Sequence, residues 1–318
     1  MKPVFIYIYF MRFQIRLLLL VALVSFAGCD NDKVPFREYK TKYIVIVLVD
    51  GARYSETWGD ASHQYIPFLA DSMAQEGVVN STFYNHGITN TVNGHAAVTT
   101  GEYDDLDNTG LDYPKKHSFF QDWISQHNSI YQSAWIVASK DKLAVLGNTD
   151  EPNWKNHYLP MIDCGVSGWG SGYREDSVTY VNALNVIQTK TPRLLLINFK
   201  DPDYYGHAGD WNMYCQGIVK TDSYINSIWS AIQADPEMAN KTTLFVTNDH
   251  GRQTSDYTGH GDGCEGCRHI MFFAVGPDFK KGGVVSTPRS LIDIHATISE
   301  LMHLQNSSDG EVMSELFN

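Results

Sequence analysis

Residues 43–50 read YIVIVLVD, a continuous apolar run rich in β-branched residues that ends in a carboxylate. Such a run is typical of a strand buried on both faces of a sheet. Four shorter runs of the same kind follow, at 134–139, 193–199, 243–249 and 270–276. Helical periodicity fits the segments 64–76, 118–127, 176–189, 212–233 and 290–303. This alternation predicts an α/β fold with a mostly parallel central sheet and helices on both faces.

Length and charge restrict the class of protein. The chain has 318 residues, of which 43% are hydrophobic, and this is ample material for a well-buried core. Its formal net charge is -12. We therefore expect no surface for binding nucleic acid, because such binding depends on neutralising phosphates with basic side chains.

The first residues have the features of an export signal. Basic residues precede the apolar run LLLLVALVSFAG, and Cys29 follows it directly. The run is too short to span a membrane, and it resembles the signal of a bacterial lipoprotein. This resemblance implies a signal peptide over 1–28, a lipidated Cys29 and a polar tether over 29–41, before a catalytic domain over 42–318. The protein would then be exported and membrane-anchored, in the periplasm or at the cell surface; an ordinary signal peptide with an incidental Cys29 is the alternative.

Four further cysteines are Cys164, Cys215, Cys264 and Cys267. An even number in an exported protein favours disulfides, although the sequence cannot choose among the three possible pairings. The last two form a C-x-x-C pair, for which we favour a structural disulfide over half of a zinc site or a redox motif.

Polar side chains end several of the predicted strands. In a doubly wound sheet, ligands gather at the carboxyl ends of the strands, so these side chains are expected to converge. Singly, each is better explained as a helix cap or turn residue. Together they predict a site for two divalent metals, and the mixture of oxygen and nitrogen donors suits zinc better than calcium. The residues concerned are Asp50, Asp201, Asp203, Asp249, His250 and His260.

A candidate nucleophile lies in NTVNGHAAVTTG (90–101). Thr91 precedes a helix-like segment, where free backbone N–H groups favour an anion. A threonine hydroxyl needs a base or a metal to become nucleophilic. The chain has no G-x-S-x-G sequence, so a metal near Asp50 is the expected activator.

The order of these motifs resembles the alkaline phosphatase superfamily. Asp50 is followed by T-x-x-G-H-x-x-x-x-T-G from Thr91, D-x-x-G-H from Asp203, D-H-G from Asp249, and H-G at His260. The nearest resemblance is to nucleotide pyrophosphatase/phosphodiesterases and single-domain zinc phosphatases. It implies an alkaline-phosphatase-like fold and a threonine nucleophile. Many of these relatives have asparagine where this chain has Gly94.

The resemblance also implies a role for each motif residue. One zinc would be held by Asp50, Asp249 and His250, with Thr91 as its exchangeable ligand. The other would be held by Asp203, His207 and His260, with Asp201 left as a neighbour; manganese is the alternative ion. Asn108 is implied as a substrate-binding amide, with a plain turn residue as the alternative.

Other residues receive structural interpretations. His95 is expected to pack the loop of Thr91, and His269 and His295 to be structural, with His269 a weaker competitor of His260. We expect Lys140 and Lys142 to be solvated, although they could contact a substrate anion. Gly206 is expected to let the backbone turn tightly enough to aim His207.

The sequence as a whole predicts an exported two-zinc phosphoric ester hydrolase that acts on a small phosphorylated substrate through a phosphothreonine. The sequence does not decide between monoester and diester substrates. Aromatic residues in the aperiodic segment 147–174, interpreted as a lid or binding loop, would suit a diester, and Arg174 beside the two lysines would suit a monoester. The alternatives are a sulfatase-like hydrolase, a metal-dependent phosphomutase and a surface lipoprotein that binds ligands without catalysis. A sulfatase nucleophile requires a C/S-x-P-x-R sequence, which Thr91 does not provide.

Overall fold

Strand β1 lies inside an eight-stranded sheet in the computed structural model, which describes residues 37–305 and 307–318. The order of this sheet is β10-β2-β9-β7-β1-β6-β4-β5, and β11-β3-β8 form a second sheet. The strands are β1 Tyr43–Val49, β2 Val78–Asn80, β3 Phe83–Tyr84, β4 Ala134–Ala138, β5 Met161–Cys164, β6 Leu194–Phe199, β7 Thr242–Thr247, β8 His269–Ile270, β9 Phe272–Val275, β10 Gly283–Val285 and β11 Arg289–Ser290.

The five strands from β7 to β5 are parallel, which confirms the predicted α/β class. Only β9 departs from this direction, since it pairs antiparallel with both β7 and β2. The side chains of β1 alternate between two cores: Ile44, Ile46 and Leu48 face one, and Val45 and Val47 face the other. Period-2 alternation with every residue buried is the pattern of a strand covered on both faces.

Seven α-helices occur among the described residues: α1 Thr91–Thr100, α2 Phe119–Gln126, α3 Asp176–Lys190, α4 Asp201–His207, α5 Trp211–Ala234, α6 Glu265–Arg268 and α7 Leu291–Met302. Helices α1, α2 and α7 contribute to the core on one face of the sheet, and α3 and α5 contribute to the core on the other. Helices on both faces are therefore confirmed. Four of the five predicted helices match within about two residues, a normal uncertainty for helix ends.

The predicted helix over 64–76 is wrong in type. This segment forms a short π-helical turn at Phe68–Ser72 and a 3-10 turn at Met73–Gln75. The carboxylate of Asp222 on α5 accepts hydrogen bonds from the backbone N–H groups of Phe68 and Leu69, at 2.8 and 2.9 Å. A side chain from another element thus supplies the partners for the first turn, and no regular α-helix develops.

The segment 147–174 is only partly a loop. It contains β5, which pairs with β4 at the edge of the sheet. Strand β5 was not predicted, because it is short and turn-forming residues lie on both sides of it. Residues 148–160 and 165–174, several of them at positive φ, are the irregular parts.

The predicted signal peptide, Cys29 and most of the tether lie outside the described residues. Tyr39–Asn318 forms one unit of the chain. Within the described part, no helix is both long and apolar enough to cross a membrane. Cys164, Cys215, Cys264 and Cys267 are all free thiols, so the expected disulfides are not formed. Cys164 and Cys215 lie in the cores on opposite faces of the sheet and cannot pair.

Candidate metal centre and active site

Four adjacent parallel strands deliver the polar side chains of the site. Asp50 directly follows β1, and Asp249 and His250 follow β7. Lys140 follows β4, and Asp203 lies in α4, which begins two residues after β6. Parallel strands end at one edge of the sheet, so the topology itself brings these groups together.

Asp50, Asp249 and His250 form the first cluster, and all three are fully buried. One ligand atom from each lies within 4.8 Å of the others. His250 Nε2 is 3.4 Å from Asp249 Oδ2 and 3.7 Å from Asp50 Oδ1. Thr91 Oγ1 lies 3.5 Å from Asp50 Oδ1 and so borders this cluster.

Asp203, His207 and His260 form the second cluster, again with ligand atoms within 4.8 Å of one another. Asp203 Oδ1 lies 3.4 Å from His207 Nε2 and 3.6 Å from His260 Nε2. Asp203 and His207 are four residues apart on α4, and this spacing places both on one helix face. The rings of His250 and His260 stack with centroids 4.0 Å apart, so the two clusters adjoin.

The prediction that Gly206 serves a tight turn is wrong, because Gly206 lies inside α4. A Cβ there would come within 2.4 Å of Arg252 Nε. Arg252 is fully buried, and its Nη1 donates to Asp203 Oδ1 at 2.5 Å. Arg252 also donates to the backbone carbonyls of Tyr257 and Thr258, and it therefore ties Asp203 to the loop that leads to His260. Sequence reasoning missed this residue.

Hydrogen bonds select the imidazole tautomers. His250 Nδ1 lies 2.8 Å from the carbonyl oxygen of Gly251, and His260 Nδ1 lies 2.9 Å from that of Thr89. Because a carbonyl oxygen only accepts, each Nδ1 must carry a proton, which leaves Nε2 as the atom that faces the cluster. Burial is the main cause that lowers the pKa of His260 to about 3, so this ring is neutral. A neutral imidazole whose other nitrogen donates to a backbone carbonyl is the usual state of a histidine metal ligand.

Lys140 is buried between the clusters, and its expected solvation is wrong. Its Nζ lies 2.6 Å from Asp203 Oδ2, 3.0 Å from Asp50 Oδ2 and 3.0 Å from Thr91 Oγ1. Burial alone would lower the pKa of Lys140, but Asp203, Asp50 and Asp249 together raise it. Lys140 could have been found by the rule that found the aspartates, since it lies two residues after a parallel strand.

The side chains present suit divalent metal ions. His250 Nε2 is buried and, among the described residues, has no hydrogen-bond partner, and Asp249 Oδ2 lies 3.3 Å from His95 Nδ1 and 3.4 Å from His250 Nε2. Buried polar atoms without partners are rare, and beside two carboxylates such an atom is suited to hold a cation. Each cluster offers carboxylate oxygen and imidazole nitrogen, a donor mixture suited to zinc and to other transition metals.

Thr91 is the first residue of α1 and is 1% exposed. His95, one turn later, contacts the Thr91 carbonyl at 2.8 Å and Asp249 Oδ2 at 3.3 Å. Gly94 lets this helix approach the end of β7, because a Cβ there would come within 2.5 Å of the Asp249 backbone oxygen. The close packing explains why this chain has glycine at position 94.

A cavity of about 350 Å³ opens over the second cluster and Thr91. Asn108, Lys142, Tyr173 and Tyr204 are among the residues that line it. Asn108 Oδ1 accepts from Val92 N at 3.0 Å and from Lys142 Nζ at 3.1 Å, so it lies beside Thr91. Burial, followed by the charge of Lys140, lowers the pKa of Lys142 to about 8.

Several candidates lie outside the clusters. Asp201 pairs with Lys200 at 2.8 Å, and Arg174 is buried against Asp163, so neither contributes to the cavity. His269 stacks on Tyr54 with ring centroids 3.8 Å apart, and its Nε2 contacts the Ser81 carbonyl. His295 lies in α7 beside Phe119.

Solved structures share this architecture. A protein of the alkaline phosphatase superfamily from Vibrio parahaemolyticus superposes with a TM-score of 0.65 at 14% identity, over 89% of this chain and 72% of that chain. Murine ectonucleotide pyrophosphatase/phosphodiesterase 5 superposes with a TM-score of 0.58 at 15% identity, over 87% of this chain and all (100%) of that chain. The chain has the alkaline phosphatase superfamily fold.

Sequence comparisons agree with this fold. Residues 174–306 match the family model described as the Metalloenzyme superfamily, a range that includes the second cluster together with Asp249 and His250. A 2,3-bisphosphoglycerate-independent phosphoglycerate mutase from Gracilaria tenuistipitata var. liui is 29% identical over 39% of this chain and 24% of its own length. Arylsulfatase K from Danio rerio is 28% identical over 43% of this chain and 29% of its own length. This alkaline-phosphatase-like chain thus spans about a quarter to a third of these curated relatives.

Proposed function

We propose that the protein is a metal-dependent phosphoric ester hydrolase that works through a phosphothreonine at Thr91. One observation carries this proposal: the Thr91 hydroxyl lies at the junction of two potential metal-ligand clusters. It is 3.0 Å from Lys140 Nζ and 3.5 Å from Asp50 Oδ1. A hydroxyl so placed has a cation on one side to stabilise its negative charge and a carboxylate on the other.

The residues of the chain favour a nucleophilic hydroxyl. Lys140 carries three N–H groups and no lone pair, so it donates to Thr91 Oγ1. The Thr91 proton is thereby directed toward Asp50, while the remaining lone pair is available to attack phosphorus. Because the site is buried, these charges act with little screening. The Lys140 ammonium would therefore stabilise negative charge on the Thr91 oxygen, as nucleophilic catalysis requires.

Asp50, Asp249 and His250 would hold one divalent ion, and Asp203, His207 and His260 would hold another. Bound there, such ions would supply Lewis acidity toward the attacking and departing oxygens of the ester. We propose zinc as the ion, because two histidines in the second cluster suit zinc better than magnesium or calcium.

The cavity suits a phosphoryl group with an organic substituent. Lys142 and Asn108 lie on one side and supply an ammonium and an amide to non-bridging oxygens. Tyr173 and Tyr204 line the same cavity and offer ring faces to the ester group. The combination favours a small organic phosphate ester, and the aromatic side chains extend this to diesters.

Two neighbours by fold support this interpretation. A phosphonate monoester hydrolase from Silicibacter pomeroyi shares the fold with a TM-score of 0.62 at 13% identity, over 87% of this chain and 76% of that chain. A threonine-to-alanine variant of the murine protein is described as inactive and forms a complex with AMP. In that relative, activity is lost when a threonine is replaced, and a nucleoside monophosphate binds. Both facts fit a phosphoric ester hydrolase that depends on a threonine.

A substrate panel tests the proposed reaction. The protein is stripped of metal, reloaded with zinc or manganese, and assayed on p-nitrophenyl phosphate, its bis-ester, its sulfate and a sugar phosphate. We expect turnover of at least one phosphate ester and only after metal is restored. Turnover of the sulfate alone would identify a sulfatase, and phosphoryl transfer between sugar-phosphate positions without hydrolysis would identify a mutase. Either outcome would overturn the proposal, as would inactivity on every substrate.

We also propose that the enzyme acts outside the cytoplasm, anchored through a lipid on Cys29. The basic and apolar residues before this cysteine are the basis of that proposal. Mass spectrometry of the protein from membranes of its native host would show a diacylglyceryl-modified N-terminal Cys29, whereas an unmodified or internal Cys29 would contradict the anchor.

A further inference from the structure

A third group of potential metal ligands lies outside the candidate active site. Asp262, Cys264 and Cys267 each offer one donor atom, and these atoms lie within 4.8 Å of one another. Cys267 Sγ is 3.3 Å from Asp262 Oδ1. None of the three is a ligand in either cluster of the active site.

Burial and hydrogen bonds hold these three residues in place. Cys267 is fully buried, and Cys264 is partly buried. Asp262 Oδ1 accepts a hydrogen bond from Cys264 N at 3.0 Å, which holds the carboxylate over the turn. The Thr254 hydroxyl lies 3.7 Å from Cys264 Sγ and supplies a further oxygen beside the thiols.

We propose that Asp262, Cys264 and Cys267 form a third metal site, which binds a thiophilic divalent ion such as zinc. Two thiolates and a carboxylate are a ligand set that zinc accepts, and the Thr254 hydroxyl or a solvent molecule completes four-coordination. Binding releases the two thiol protons to solvent. The proposal does not depend on the reaction proposed for Thr91.

The position of Asp262 distinguishes a metal site from a disulfide. A disulfide needs only the two sulfur atoms, whereas here a carboxylate oxygen converges with them. The carboxylate and the two thiols together supply the mixed oxygen and sulfur donors that a thiophilic cation binds.

A metal at this site would restrain the segment that contains His250 and His260, two proposed ligands of the active site. The backbone N–H of Gly251, next to His250, donates to the carbonyl of Cys267 at 2.9 Å. His260 lies two residues before Asp262. A metal that joins Asp262 to Cys267 would therefore restrain the chain just after each of these two histidines.

Cobalt(II) is the probe for this site. The reduced full-length protein is stripped of metal and titrated with cobalt(II), and the near-ultraviolet absorption is recorded. Cobalt bound by thiolates gives an intense charge-transfer band, whereas the two clusters of the active site contain no cysteine and give none. We expect the band in the wild-type protein and its loss in the Cys264→Ser/Cys267→Ser double variant, which also binds about one metal equivalent fewer.

Two further variants keep this test decisive. Cys215→Ala removes a thiol far from the site and should keep the band. Asp262→Asn preserves the fold and both thiols, and it should weaken cobalt binding about tenfold or more, even if the double variant fails to fold. Absence of the band from the reduced wild-type protein overturns the proposal. So does an unchanged band in the double variant, or a Cys264–Cys267 disulfide with unchanged cobalt affinity in Asp262→Asn.

Discussion

Lys140 Nζ lies 3.0 Å from the hydroxyl oxygen of Thr91, at a point where carboxylates approach from two strands. The same ammonium pairs with Asp203 at 2.6 Å and with Asp50 at 3.0 Å. A buried ammonium is tolerated only when its charge is paired, and here one cation serves both clusters. Lys140 therefore links the proposed nucleophile to both proposed metal sites.

Replacement of Lys140 tests this link. We expect Lys140→Gln to lower turnover of a phosphate ester about 100-fold or more, because a buried charge near the reacting oxygen is lost. The variant should also gain more thermal stability from added zinc than the wild type does, since its carboxylates lack their internal cation. Lys140→Arg should not restore activity, because the larger guanidinium does not fit this space. Wild-type turnover in Lys140→Gln would show that Lys140 only supports the structure.

The role of Thr91 can be tested against Thr99, another buried threonine of α1, by replacing each with alanine. Thr91→Ala should reduce turnover at least about 1,000-fold, because the attacking oxygen is removed, while metal content stays unchanged. Thr99→Ala removes a buried hydroxyl that bonds only to Ala96 within α1, and it should keep most of the activity. Steady-state kinetics and metal analysis of both variants decide the matter. Equal losses in the two variants would point to a packing effect.

Two neighbouring aspartates should differ in metal binding. Asp203→Asn should cost about one metal equivalent per chain, because Asp203 is the carboxylate of the second cluster. Asp201→Asn should keep the metal content, since Asp201 pairs with Lys200 and lies outside the clusters. Elemental analysis after dialysis measures both. Loss of metal only in Asp201→Asn would reverse the assignment.

His117 should make stability depend on pH. Its Nε2 lies 3.1 Å from Asp122 Oδ1 and its Nδ1 lies 2.5 Å from Glu151 Oε2. Burial opposes protonation, but Asp122 and Glu151 raise the pKa of His117 above its ordinary value of 6.5. Since the folded-state pKa is the higher one, the stabilisation is complete below about pH 6.5 and is lost as pH rises through the folded-state pKa.

His117→Gln removes this contribution. We expect the melting temperature of the wild type to exceed that of the variant by about 2–4 °C at acidic pH. The difference should shrink at alkaline pH, where the imidazole is neutral in both folded and unfolded chains. A difference that grows with pH would contradict the raised pKa.

Much of the architecture could be predicted from apolar periodicity. The run of β1 and three of its counterparts identified four parallel strands, because strands covered on both faces leave a continuous signal in the sequence. The fourth counterpart, at 270–276, forms the antiparallel β9, since an apolar run does not encode strand direction. The convergence of Asp50, Asp203 and Asp249 followed from the rule that parallel strands end at one edge. The two turns near Phe68 could not be predicted, because their first hydrogen bonds come from Asp222 on a distant helix.

The charge environment of the site was harder to predict. The strand-end rule that found the aspartates places Lys140 at the same edge of the sheet, but its burial depends on three carboxylates that lie far away in the sequence. Arg252 lies just after the D-H-G motif, yet its contact with Asp203 depends on the missing side chain of Gly206. Such contacts between distant segments have no periodic signal, so only the three-dimensional structure shows them.

Acid quenching during turnover tests the central claim most directly. The metal-loaded wild-type protein is mixed with excess p-nitrophenyl phosphate, quenched in acid within milliseconds, digested and analysed by mass spectrometry. We predict a phosphoryl group on Thr91, in the peptide that contains Val92 and Asn93, and none on that peptide in the Thr91→Ala variant. Rapid hydrolysis of the ester with no phosphorylated Thr91 at any quench time, or with phosphate on another residue, would contradict the account.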